Sequence, residues 1–149
     1  MDGFLPPQPP SIEACIAASS NRFNVHTDLI KAVIRTEGGK VGTKSKNKNG
    51  SYDLGIMQIN TIHLPSLQQY GITEKQLIHN ACVNIAAGTW LLAKSIGTPS
   101  NAYEYWQGVG NYHSKTPKLN VTYRNKVWRN LLSIRQKHSQ RISLTLIKE

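Results

Sequence analysis

Two neighbouring stretches decide the reading of this chain: Thr36-Glu37-Gly38-Gly39 and Asn49-Gly50-Ser51-Tyr52-Asp53-Leu54-Gly55-Ile56-Met57-Gln58-Ile59-Asn60. Upstream of the first, Leu29, Ile30, Val33 and Ile34 recur at helical spacing. The spacing predicts a helix from Thr27 or Asp28 to Glu37, with Thr27 as its N-cap and Gly38-Gly39 as its stop. Glu37 therefore sits at the negative end of a helix dipole, which disfavours a carboxylate and favours the protonated acid. Apolar neighbours such as Val33 and Ile34 would push the same way by desolvation. Position alone also fits a solvated Glu beside a glycine cap. Between the two stretches Asn49-Gly50 is a tight-turn signal, so a short hairpin is expected there. Asp53 follows that turn. Asp is common in turns, yet two carboxylates facing one cleft are also what glycosidic cleavage uses.

Working outward, Ile12, Cys15, Ile16 and Ser19 keep helical spacing from Ser11 onward. Further helices are expected at Glu74 to His79, Asn84 to Ile96 with Ile85, Trp90, Leu91 and Leu92 inward, Asn101 to Trp106, and Val121 to His138. The fold class is mainly α (α+β), with one small polar hairpin or loop region between the second and third helices. Residues 1–10 hold four of the seven prolines and read as an extended lead. The domain is then 11–138, and 139–149 form a tail in which Ile142 to Ile147 alternate like a strand.

At 149 residues and 39% hydrophobic the chain can bury its own core, which argues against a disordered tail or a multidomain machine. Eighteen Lys and Arg against eight Asp and Glu give +10, which calls for a polyanionic partner: nucleic acid, an anionic membrane face or an acidic wall polymer. No apolar run reaches the roughly 18 residues of a membrane span. No helix-turn-helix, zinc or RNA-recognition signature accompanies the basic last helix, so no nucleic-acid partner is expected. Lys40, Lys44, Lys46 and Lys48 read as a solvated loop or as an attractor for carboxylated glycan. Trp90, Trp106, Trp128, Tyr103 and Tyr105 read as core or rim. Cys15 and Cys82 fit either two buried thiols or one bridge, and no metal set can be built around them. Residues 1–10 lack the basic and apolar regions of a secretory signal, and we expect a signal to have been removed ahead of them.

The two opening stretches, with Ala81-Cys82-Val83-Asn84-Ile85, Gly88 and Gly110-Asn111-Tyr112, occur in the order found in a known family. From about Ile12 to Trp128 the chain resembles the lysozyme-like lytic transglycosylases of the soluble-transglycosylase catalytic domain. It is most similar to the small specialised members that accompany type III and type IV secretion, conjugation and type IV pilus systems. The resemblance implies a lysozyme-like fold with Glu37 as catalytic acid/base. It implies substrate contacts for Gln58 and Asn60, with Met57 packed beside the acid and Tyr112 orienting the sugar. Ser51 corresponds to a hydroxyl that bonds an N-acetyl group or the carboxylate. Cys15 and Cys82 match the small members' paired cysteines, so a disulfide and an oxidising, periplasmic setting are implied. The expected partners are peptidoglycan strands and components of a secretion or pilus apparatus, with no metal or organic cofactor. Two positions depart from the pattern: Tyr112-His113-Ser114-Lys115 stands where many members read Tyr-Asn-Ala-Gly, and Gly38 where Ser is frequent.

Asp53 leaves two chemical routes. In the transglycosylase route Glu37 suffices, and the muramyl C6 hydroxyl closes the product ring. In the hydrolytic route Asp53 joins Glu37 and water finishes, a split of roles for which lysozyme is the general worked example. The neighbouring motifs favour the first. A non-catalytic peptidoglycan-binding or assembly protein would keep the scaffold but leave Glu37 without a purpose.

Overall fold

The computed structural model describes Gly3 and residues 8–148. Of the expected lead, only Gly3 and Gln8 to Pro10 fall among these, all exposed and outside regular structure; the rest lies outside the described residues. Helices α1 (Ile12–Phe23) and α2 (Thr27–Glu37) precede a small sheet of β1 (Lys44–Lys46), β2 (Tyr52–Leu54) and β3 (Ile59–Asn60). A 3-10 turn (Thr61–His63) then leads to α3 (Leu64–Gln68), α4 (Glu74–His79), α5 (Ala81–Ile96), α6 (Ala102–Asn111) and α7 (Pro117–Lys148). The mainly α reading holds, and the Asn-Gly turn does join an antiparallel hairpin in which Ser45 faces Asp53. β2 in turn pairs with β3, Asp53 opposite Asn60.

Helix α5 is the core of the domain. Its Ile85 and Leu92 are wholly buried, and α1, α4 and α6 pack around it. Trp90, expected inward with them, is only half-buried; its ring meets Tyr70 edge-on at 5.6 Å while Lys94 lies 4.4 Å from its centroid. The Cys15–Cys82 disulfide ties α1 to α5, with Cα atoms 5.1 Å apart. On the other side α7 lies along α2 and α6, burying Tyr123, Val127 and Leu131.

Four local readings need correction. The cap of α2 is His26, whose Nδ1 accepts the Asp28 N–H at 3.0 Å, so Thr27 is already the first helical residue. Helix α6 runs past Trp106 to Asn111, because Gly108 and Gly110 are close-approach positions where a Cβ would collide with α5 backbone and with Asn120. Helix α3, with Pro65 in its first turn, was not foreseen. The alternating segment Ile142 to Ile147 is not a strand but the end of α7. Extending an existing helix gains a hydrogen bond per residue, whereas a lone strand there has no partner.

The buried Asn84 fixes the segment that carries the second motif. Its amide donates to Leu54 and Leu77 carbonyls at 2.9 and 2.8 Å, and its carbonyl accepts the Met57 N–H at 2.9 Å. Loss of one partner leaves several buried backbone groups unpaired. Asn84→Ala is therefore expected to cost about 3 kcal/mol in urea unfolding, far more than a surface Asn.

Candidate active site

Glu37 ends α2 because the next residue turns left-handed: Gly38 has φ +68° and returns its N–H to the Ile34 carbonyl. Gly39 then passes so close to the turn after β2 that a Cβ would overlap the Gly55 carbonyl and crowd Gln58. That contact sets the acid against the Gly55 to Asn60 segment. The Glu37 side chain lines a cleft of about 930 Å³, yet its Oε2 is buried and has no hydrogen-bond partner among the described residues. Burial, and secondarily the negative charge of Asp53, raise its pKa from 4.5 to about 8. The C-terminal helix dipole works in the same direction. Glu37 is thus a carboxylic acid that keeps its proton at neutral pH.

The hairpin forms one wall of the cleft through Asn47, Asn49, Ser51 and Asp53. The Asn60 amide donates to Asp53 Oδ1 at 3.1 Å and to Ser51 Oγ at 3.0 Å. The Ser51 hydroxyl donates to Asn49 at 2.6 Å and also accepts from Asn47. Ser51 is therefore tied into the hairpin net. Gln58 lines the cleft with φ +52° and donates to the Gly55 carbonyl at 2.9 Å. Met57 is wholly buried, pressed on Gly88 of α5 rather than lining the cleft.

The opposite wall comes from the α6–α7 turn and α7 itself. Tyr112 donates its hydroxyl to the Met57 carbonyl at 2.9 Å, and burial raises its phenol pKa further above the usual range, with Glu37 and Asp53 adding to the rise. The structure thus gathers Glu37, Ser51, Asp53, Gln58, Asn60 and Tyr112 around one cleft, with Met57 beneath it.

Three contributors escape sequence reading. Tyr123, on the inward stripe of α7, stacks 4.8 Å beneath His113 and buries its hydroxyl without a partner among the described residues. Burial, then the charges of Glu37 and Tyr112, raises its phenol pKa. A phenol among Val127 and Leu131 was the available signal, since an inward hydroxyl asks for a partner. Asn120 donates to Gln107, Asn111 and Ser114 and so holds the loop that presents Tyr112 and His113. Asn130 bonds Thr36, the residue before the acid, at 2.8 Å.

Elsewhere the lysine loop is solvent-facing. Lys44 pairs with Glu74 at 2.7 Å and lies over Tyr52, while Lys40, Lys46 and Lys48 are exposed and none of the four lines the cleft. The three tryptophans also stand away from it; Trp106 and Trp128 meet edge-on at 5.1 Å between α6 and α7. Among the described residues no cluster of His, Cys, Asp and Glu could hold a metal ion. No helix among them is long and apolar enough to cross a membrane.

A helical domain whose cleft runs between a three-stranded hairpin sheet and a long helix, with an acid at a helix end, has the lysozyme-like arrangement. The chain belongs to the Transglycosylase SLT domain family, which it matches over residues 14–131. It is similar to Invasion protein IagB of Salmonella typhimurium (strain SL1344), 31% identical over 144 residues, 90% of this chain and 88% of that protein. It is similar also to Protein IpgF of Shigella flexneri, 30% identical over 131 residues, 85% of this chain and 84% of that one. A Peptidoglycan-binding-like protein of Escherichia coli O157:H7 is 32% identical over 127 residues, 77% of this chain and 74% of its own length.

Proposed function

We propose that this chain is a peptidoglycan lytic transglycosylase that cleaves the β-1,4 bond from N-acetylmuramic acid to N-acetylglucosamine and leaves 1,6-anhydromuramyl ends. The observation that carries the reading is the buried, unpartnered Oε2 of Glu37 on a glycan-sized cleft, in a carboxyl that holds its proton to about pH 8. Glu37 gives that proton to the bridging oxygen as the bond to muramyl C1 breaks. The resulting carboxylate takes the proton from the muramyl C6 hydroxyl, whose oxygen bonds to C1. Glu37 ends protonated again, and no water is consumed. An internal hydroxyl held at the reacting carbon has the effective molarity to outrun water.

Asp53 has a supporting place in this scheme, because Asn60 already occupies one of its oxygens and its charge helps keep Glu37 protonated. Asp53→Asn is expected to retain cleavage within about tenfold. Its alkaline limb of activity should move to lower pH, because removing a negative neighbour lowers the pKa of Glu37. The pH–rate profile of purified sacculi digestion checks both. A hydrolase that uses Asp53 as second carboxylate would instead lose turnover altogether.

The proposed setting is the periplasm, where the enzyme opens the mesh locally for components of a secretion or pilus apparatus. Its supports are a disulfide, which persists in oxidising compartments, and a relative named an invasion protein.

A further inference from the structure

The cleft is electrically lopsided. Its hairpin wall offers amides, a hydroxyl and Asp53, whereas the wall opposite offers Lys115 from the α6–α7 turn and Lys126 from α7. Both lysines are exposed, and among the described residues neither has a carboxylate within 4.0 Å. The stretch that carries them supplies no partner of its own, since the sequence from Asn111 to Lys148 contains no Asp or Glu, and the acidic groups that share their cleft are Glu37 and Asp53 on other elements. Elsewhere Lys31 and Lys44 are paired with Glu13 and Glu74. The loop bearing Lys115 is also held in place: Asn120 grips Asn111 and the Ser114 carbonyl, and the Thr116 N–H bonds Ser114 Oγ at 3.1 Å. Lys126 follows Thr122 by one helical turn on the same cleft-facing stripe, one turn short of the Asn130 that bonds Thr36. Two unpaired cations thus flank the groove that leads to the acid.

Resting on the reading that this cleft takes peptidoglycan, we propose that Lys115 and Lys126 form a carboxylate-binding subsite for the acidic substituent carried on muramyl O3. The sugar rings themselves are neutral. The carboxylates come either from the stem peptide or, where that peptide is absent, from the free lactyl group. The attraction for carboxylated glycan, one of the two readings of the lysine loop, is thereby supplied from the opposite wall. Placing it there also orients the strand, because only every second sugar carries the anion, so binding the anion selects which bond lies over Glu37.

The test measures binding in the Glu37→Gln background by calorimetry, so it does not depend on which products the active enzyme forms. Three ligands are compared: glycan strands with stem peptides, the same strands stripped by an amidase to free lactyl groups, and uncharged N-acetylglucosamine oligomers. Adding Lys115→Gln and Lys126→Gln together is expected to weaken carboxylated strands about tenfold and to flatten the salt dependence of binding, with little change for the neutral oligomers. The corresponding Arg variants should retain the affinity. Weakening confined to stem-bearing strands assigns the subsite to the peptide carboxylates, weakening confined to stripped strands assigns it to the free lactyl group, and weakening of both shows that it takes either carboxylate. An equal loss on neutral oligomers, no loss on any ligand, or no binding by the parent protein overturns the proposal. Hydrolytic products from the active enzyme would overturn the transglycosylase reading and leave this result standing.

Discussion

Glu37→Gln is expected to lower glycan cleavage by about a thousandfold or more while leaving the fold intact and making it more stable at neutral pH. The rate effect follows from removing the proton that the leaving oxygen must receive. The stability effect follows from the raised pKa, 4.5 to about 8. Below pH 4.5 the acid is protonated in folded and unfolded chains alike, and no difference arises. Between pH 4.5 and about 8 the unfolded chain releases a proton that the folded chain retains, so stability falls as pH rises. Gln has the same shape and never ionises. The melting temperature of the variant should therefore match the parent below pH 4.5 and exceed it increasingly up to about pH 8. An acid that costs stability where it works is a functional group rather than a structural one. Equal melting temperatures across that range, with turnover retained, would show Glu37 to be an ordinary surface carboxylate.

Loss of the Cys15–Cys82 bridge should be the largest effect on stability. The bridge closes a loop with a sequence separation of 67, and loop-closure entropy puts its contribution at about 4 kcal/mol. It joins α1 to the central helix α5, so its removal frees the first helix from the core's best-packed element. The double Cys→Ser variant is expected to melt about 12 °C lower than the oxidised protein, and a reductant should produce the same shift in the parent alone. Calorimetry with and without reductant checks this. Identical melting of reduced and oxidised protein would contradict this and would mean that the bridge adds no constraint to an already compact unfolded chain.

How much of this was legible in the sequence depends on the range of the interactions involved. Helix α2, its glycine stop and the Asn-Gly hairpin are written in short-range rules, and their positions came out within a residue or so. The acid could be suspected for the same reason, since its place at a helix end is local. What raises its pKa is not local: the approach of Gly39 to Gly55 and the burial of Oε2 depend on segments that only the fold brings together. The misplaced end of α6 shows the limit clearly. Gly108 and Gly110 look like helix breakers until one sees the α5 backbone and Asn120 occupying the space where side chains would stand. The alternation of Ile142 to Ile147 misled because a period of two specifies a strand only where a neighbouring strand exists to pair with it. Tyr123 was hidden for another reason: an aromatic on the inward face of a helix is ordinary, and only the unpartnered hydroxyl near Glu37 sets it apart. The lysines show the same thing in charge. Four clustered in sequence face solvent, while two that are eleven residues apart share the cleft.

The most direct measurement is mass spectrometry of the soluble products when purified peptidoglycan is digested in water enriched in heavy oxygen. Ring closure by the muramyl C6 hydroxyl predicts anhydromuramyl ends that carry no solvent oxygen, formed by the parent and by Asp53→Asn and absent with Glu37→Gln. Reducing ends that have taken up the heavy oxygen, lost with either variant, would contradict the account and make the protein a hydrolase of two carboxylates.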